Sequence, residues 1–291
     1  MITAQQVKAL RDKTGAGMMD CKAALQHTNG DMDAAIDYLR EKGIAKAAKK
    51  ADRIAAEGLC SVAVSGNEAV IFELNSETDF VAKNKQFINL IDSVGNILIK
   101  SGVDNTDAAL AYEHEGKTME TLLADATATI GEKISLRRVS RIIKTDTQGF
   151  GAYKHMGGRI AVLVLLESEN AELAKDMAMH IAANNPQYLN RSAVDQATLD
   201  HETHILTQQS LAEGKPANIV EKMVIGRLNK YLQEICLVDQ AFVKDPDIKV
   251  SQHLKNNNNA VIRYIRLEVG EGIEKREECF AAEVAAAQVG K

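Results

Sequence analysis

Seven consecutive apolar residues, Ile160 to Leu166, constrain this chain more than any other feature. The run falls far short of the ~20 apolar residues that a membrane span needs. It reads as a strand covered on both faces. A helix follows through Leu173, Met177 and Ile181 and ends before Pro186. The same order occurs earlier. Cys60, Val62 and Val64 alternate with smaller or polar residues, Ser65-Gly66-Asn67-Glu68 makes a turn, and Ala69 to Leu74 form a second strand, so this is a hairpin. Phe87, Ile91, Val94 and Leu98 then mark one stripe of a helix. Strand–strand–helix at 58–99 and again at 149–184 reads as an internal duplication with two α+β subdomains.

The flanking segments differ. Val7 and Leu10 predict a first helix, Thr14-Gly15-Ala16-Gly17 breaks it, and Met18 opens a second that runs to about His27. Asp31 caps a third, with Ala35, Ile36 and Leu39 on its buried face and Gly43 as its stop or kink. Residues 44–56 read as an Ala/Lys-rich linker with good helix propensity. Residues 104–130 read as further helix interrupted near Gly116, and strand character returns from 134. Two helical stretches around Gly214-Lys215-Pro216 predict an antiparallel hairpin at 197–234, polar on its outer face. Val261 to Val269 is a last strand, and a last helix is expected from about Lys275 to Ala287.

Composition excludes several functions. Aromatics are 4% of the 291 residues and tryptophan is absent, so the core must be aliphatic. The net charge is −5, with +3 in residues 1–55 and −8 in the remainder. That lacks the basic footprint of a nucleic-acid binder. The local run Lys42, Lys46, Lys49, Lys50 and Arg53 reads as a solvated helix face. Cysteines at 21, 60, 236 and 279 lack CxxC spacing and read as reduced thiols. The N-terminus resembles no signal or transit segment, so the chain is expected to be cytoplasmic, with no membrane association.

Catalytic motifs are missing. There is no GxxxxGK[ST], no GxSxG, and Gly149-Phe150-Gly151 lacks the third glycine of a dinucleotide fingerprint. His201-Glu202-Thr203-His204 places its histidines at i, i+3, not the i, i+4 of zinc proteases. His155 and His180 have no nucleophile partner in sequence. The residues by themselves give no warrant for an active site.

Two stretches are more specific. Leu10-Arg11-Asp12-Lys13-Thr14-Gly15-Ala16-Gly17-Met18-Met19-Asp20-Cys21-Lys22-Ala23-Ala24-Leu25 and Glu73-Leu74-Asn75-Ser76-Glu77-Thr78-Asp79-Phe80-Val81-Ala82-Lys83-Asn84 resemble the signature segments of the bacterial elongation factor Ts family. His180-Ile181-Ala182-Ala183, Glu221-Lys222-Met223 and Val269-Gly270-Glu271-Gly272-Ile273-Glu274-Lys275 support the resemblance, which spans essentially the whole chain.

The resemblance implies an α+β fold. It comprises a ubiquitin-associated-like three-helix module with its linker (1–55), a core subdomain N (56–147), a core subdomain C (148–190 and 236–271), a projecting helical hairpin (191–235) and a C-terminal helix module (272–291). It implies guanine-nucleotide exchange on elongation factor Tu, with self-association of complexes through the hairpin as a further expectation. Thr78, Asp79, Phe80 and Val81 would disturb the partner's Mg²⁺ site. Arg11, Met18 and Met19 would form an N-terminal contact patch, and Ile130, His155 and Val243 would face the partner from the core. Lys244 places a charge where the family often carries an apolar residue. Pattern alone leaves other roles open. Asp79 stands where a helix N-cap would stand, Phe80 could extend the stripe of Phe87, and Met18 and Met19 could pack inside the three-helix unit.

Overall fold

A computed structural model of the chain describes residues 2–214 and 216–274. The C-terminal helix expected beyond Lys275, and Cys279 within it, lie outside the described residues.

The first three helices are α1 (Ala4–Thr14), α2 (Met18–His27) and α3 (Met32–Ala48). Thr3 and Gln6 build a capping box on α1, and the Asp31 carboxylate accepts from the Ala34 N–H to start α3. Val7, Leu10, Cys21, Leu25 and Ala35 form the small core among them. Gly43 neither stops nor kinks α3, contrary to expectation. It lies buried within the helix, where a Cβ would come 3.1 Å from the Cβ of Ala128. The glycine lets α3 approach α7 (Met119–Ile130) closely.

The core begins with a hairpin of β1 (Glu57–Ser65) and β2 (Glu68–Ser76), joined by Gly66-Asn67. A short α4 (Asp79–Ala82) leads into α5 (Lys85–Ser101). The helical reading of 104–130 is corrected in part. α6 (Thr106–Ala111) and α7 are separated by a ribbon of β3 (Glu113–His114) and β4 (Lys117–Thr118), turning at Glu115-Gly116, both at positive φ. β5 (Ser135–Ile143) then pairs antiparallel with β2, giving the order β1-β2-β5.

The second half repeats this connection. β6 (Gly149–His155) and β7 (Ile160–Leu166) form a hairpin, and α8 (Ala171–Asn184) follows. The chain leaves through α9 (Gln196–Ala212) and α10 (Ala217–Ile235), the two arms of the helical hairpin. It returns through a ribbon of β8 (Ala241–Phe242) and β9 (Asp245–Lys249), then α11 (Val250–Asn256). β10 (Val261–Glu268) adds to β7, giving β10-β7-β6.

Alternation along the two central strands explains their apolar runs. Val70, Phe72 and Leu74 of β2 face α5 and α7, whereas Ala69 and Ile71 face the other sheet. Val162, Val164 and Leu166 of β7 face α8, whereas Ala161, Leu163 and Leu165 meet the first sheet. The core is thus helices, sheet, sheet, helices, and both central strands are apolar because both of their faces are covered. Gly151 lies against α8, where a Cβ would come 2.2 Å from the carbonyl oxygen of Ala174. Gly149 likewise lies against the turn at Ser168–Asn170 that leads into α8.

Lys42, Lys49 and Arg53 of the basic run are exposed, as expected of a solvated face, but several of its members also make contacts. Lys42 lies 5.4 Å from the Tyr38 ring centre, Lys46 pairs with Asp20 at 2.9 Å, Lys50 donates to the Gly131 carbonyl, and Arg53 pairs with Glu77 at 3.2 Å. These contacts fasten the N-terminal helices and linker to themselves and to the core.

Candidate functional site

β2 ends at Ser76, and the next residues must turn the chain into α5. Ser76 Oγ donates to the Thr78 carbonyl at 3.0 Å. Thr78 is extended (φ −124°, ψ 156°), and its hydroxyl accepts from the Val81 N–H, so Thr78 caps α4. Asp79 is therefore the first helical residue and not the cap. Its carboxylate accepts from Lys83 Nζ at 2.6 Å, and that hydrogen bond holds it below the usual carboxylate range.

One residue here escaped the sequence reading. Glu132, between α7 and β5, accepts the Thr78 N–H on Oε2 at 2.9 Å and the Thr78 hydroxyl on Oε1 at 2.6 Å. Its neighbour Lys133 donates its own N–H to Glu77 Oε1 at 2.7 Å. The only sequence signal was a charged pair following Gly131 at a helix end; the partner, more than fifty positions upstream, is supplied by the sheet.

α4 has one inner face and one outer. Ala82 is buried and Val81 packs against the helix-side core. Phe80, between them and Asp79, is 82% exposed. The stripe of Phe87 does not extend to it, because the chain breaks at Lys83-Asn84. The Asn84 side chain accepts from the Gln86 N–H at 2.9 Å and starts α5 afresh. A spacing of seven carries no meaning across two helices with different axes.

Opposite α4 stands the corner between β6 and β7. Asp79 and Lys83 on one side, and Lys154, Met156 and Arg159 on the other, border an open groove of about 390 Å³, with Ile88 and Ile91 of α5 also lining it. Met156 is exposed at φ 49°, a left-handed conformation uncommon for a side-chain-bearing residue. His155, next to it, is exposed, and its Nδ1 lies 3.2 Å from the Tyr153 hydroxyl. The fold thus brings the α4 turn and the β6–β7 corner to one groove, lined by Lys154 and Met156 on either side of His155 but not by His155 itself.

The remaining predicted positions are spread wider. Arg11, Met18 and Met19 are exposed on the N-terminal helices, so the two methionines are not packed inside that unit. Ile130 is half-buried against the helix-side core, two positions before Glu132. Val243 is exposed on the loop between β8 and β9. Its N–H donates to His180 Nδ1 at 3.1 Å, which leaves the imidazole proton on Nε2, 2.9 Å from Gln240 Oε1. His180 is buried, and that burial pushes its pKa down. Lys244 is paired with Asp176 at 2.5 Å. His201 and His204 are exposed on α9.

No helix among the described residues is long and apolar enough to cross a membrane. The family model for "Elongation factor TS" matches residues 77–271, starting one residue before the cap of α4. Elongation factor Ts of Acholeplasma laidlawii (strain PG-8A) is 63% identical over 295 residues, covering 100% of this chain and 99% of that protein.

Proposed function

Because the chain belongs to the elongation factor Ts family, and so is a translation elongation factor, we propose that it binds elongation factor Tu·GDP in the cytoplasm and promotes release of GDP. The exposed Phe80 on its braced turn is the observation that carries this reading. A GTPase holds GDP through backbone N–H groups around the phosphates and through Mg²⁺. Phe80 enters between elements of the partner, and Thr78, Asp79 and Val81 carry the displacement toward the Mg²⁺ site. Loss of that charge weakens the phosphate grip.

Magnitudes say how much Phe80 can do alone. Burying one phenylalanine contributes ~1.5–3 kcal/mol, or roughly ten- to a hundredfold in nucleotide affinity. A nucleotide bound at nanomolar affinity is held by ~12 kcal/mol. The wedge therefore needs a broad footing, which Arg11, Met18 and Met19 on the N-terminal module and Ile130, His155 and Val243 on the core supply. Methionine suits such a surface because it repacks readily. Coupling is reciprocal: GTP rebinding must weaken the factor's grip by the same factor by which the factor weakened the nucleotide's. The factor therefore recycles, with no cofactor and no covalent step.

The domain division at 1–55, 56–147, 148–190 with 236–271, and 191–235 is part of this reading, with the N-terminal module ubiquitin-associated-like and the core a duplication. The repeated strand order of the two sheets supports it. The hairpin is left free for association between complexes.

Release of a fluorescent GDP from purified elongation factor Tu, chased with excess unlabelled GDP, tests the proposal. Acceleration by sub-stoichiometric amounts of the chain is expected. An unchanged release rate with folded protein would reject it.

A further inference from the structure

A four-residue helix cannot hold itself, since forming one turn fixes several residues for very few hydrogen bonds. Something outside α4 must set where Phe80 points. Both Thr78 donors end on the Glu132 carboxylate, at 2.9 and 2.6 Å. Directing the hydroxyl proton to Glu132 leaves an oxygen lone pair for the Val81 N–H, 3.3 Å away. One carboxylate thus fixes the chain position and the cap together. A second hold runs the opposite way: the Lys133 N–H donates to Glu77 at 2.7 Å, and Arg53 pairs with the same carboxylate. Residues 77–78 and 132–133 latch each other.

The latch opposes a specific alternative. Ile88 and Met156 are exposed apolar side chains on the groove beside α4. Those side chains would be available to an aromatic ring on a turn that came loose. Resting on the exchange reading above, we propose that Glu132 is a positioning residue: its carboxylate holds the α4 turn so that Phe80 stands out in solvent, ready for the partner. Glu132 itself is half-buried, with both oxygens engaged within the chain, so it acts through the turn and not by touching the GTPase. Once the wider surface has docked, a preformed wedge enters the partner without the ordering penalty that a mobile one meets at that step.

The test compares the full chain with its Glu132→Ala, Glu132→Gln and Phe80→Ala variants by two readouts. One is amide hydrogen exchange at Thr78 and Val81 in the free protein. The other is GDP release from elongation factor Tu across a range of factor concentrations. Hydrogen bonds to a charged acceptor are the stronger class, so Glu132→Ala is expected to lower protection at both amides and to cut the maximal release rate about tenfold. The half-saturating concentration should move less than about threefold, since the wider contact surface is untouched. Glu132→Gln keeps an acceptor for the Thr78 N–H and should recover part of the rate. If Glu132→Ala does not fold, Glu132→Gln must still fall between the parent and Phe80→Ala.

Variants with parental protection and parental maximal rate would overturn the proposal while leaving the exchange reading intact. A change confined to the half-saturating concentration would overturn it too, placing Glu132 in the contact surface instead. A parent that leaves GDP release unchanged would sink the exchange reading, and the positioning role would fall with it.

Discussion

Val81 and Ala82 occupy the inner face of α4, and Phe80 stands on the outer one. An aromatic ring 82% exposed contributes little to the free protein. Phe80→Ala should therefore shift unfolding by no more than about 0.5 kcal/mol, yet lower GDP release at least tenfold if the wedge is buried on binding. Thermal unfolding and fluorescent-GDP release, run on the same preparation, separate the two. His180 behaves in the opposite sense: it is internal and its chemistry concerns stability. Its folded pKa lies below the ordinary 6.5 because burial disfavours the charged ring. As pH falls through about 6.5, the unfolded chain takes up the proton first, so stability is lost until the lower folded value is passed. Denaturant unfolding from pH 7.5 to 5.5 should show this decline, and His180→Gln should flatten it. An unaltered slope in that variant would assign the decline to other groups.

Two glycines in helices make a matched pair at the level of elements. Gly43 of α3 faces Ala128 of α7 with 3.1 Å for a Cβ, while Gly226 of α10 has nothing within 4 Å among the described residues. Gly43→Leu should push α3 off α7 and cost ~1–3 kcal/mol by overpacking. Gly226→Ala should add up to ~1 kcal/mol, because alanine restricts the unfolded chain and fits the helix. Chemical denaturation of both variants decides this, and a destabilised Gly226→Ala would mean that the outer surface of the hairpin is occupied. The hairpin itself is a thin element. Leu206, Val220 and Val224 make its apolar seam, and Arg227 links the arms through Ser210 at 3.1 Å and Glu213 at 2.6 Å.

Over the whole molecule, one buried carboxylate joins the halves of the core. Glu73 is fully buried on β2. It accepts from Arg137 at 3.1 Å, Arg138 at 2.5 Å and the Gly270 N–H at 2.9 Å. The same arginines reach Glu271 and the Glu268 carbonyl, at the end of the second sheet. Glu73 therefore ties β2 and β5 of the first sheet to the turn after β10. Glu73→Ala removes one shared acceptor from two part-buried guanidinium groups and from the Gly270 N–H, and should cost about 3 kcal/mol. A single cooperative transition that moves as a unit is the expected result in guanidinium unfolding. Two separated transitions would show that the sheets are held by Glu73 more than by their shared apolar face.

Much of this fold was legible in the residues themselves. Ala69–Leu74 read as a hairpin strand, Ile160–Leu166 as a strand covered on both faces, and the stripe from Phe87 to Leu98 as a buried helix face, because period and polarity are local properties. The signature around Phe80 was legible as well, but its exposure was not: the spacing from Phe87 pointed inward until the break at Asn84 and the burial of Val81 and Ala82 were seen. Gly43 read as a stop because nothing local reveals that α7 lies against it. Glu132 read as nothing, since its meaning depends on Thr78, brought beside it by the pairing of β5 with β2. Local chemistry determined which segments are strands, helices and caps. Tertiary structure alone decided which side chain faces water and which carboxylate braces which turn, because those outcomes depend on contacts between residues far apart in the chain.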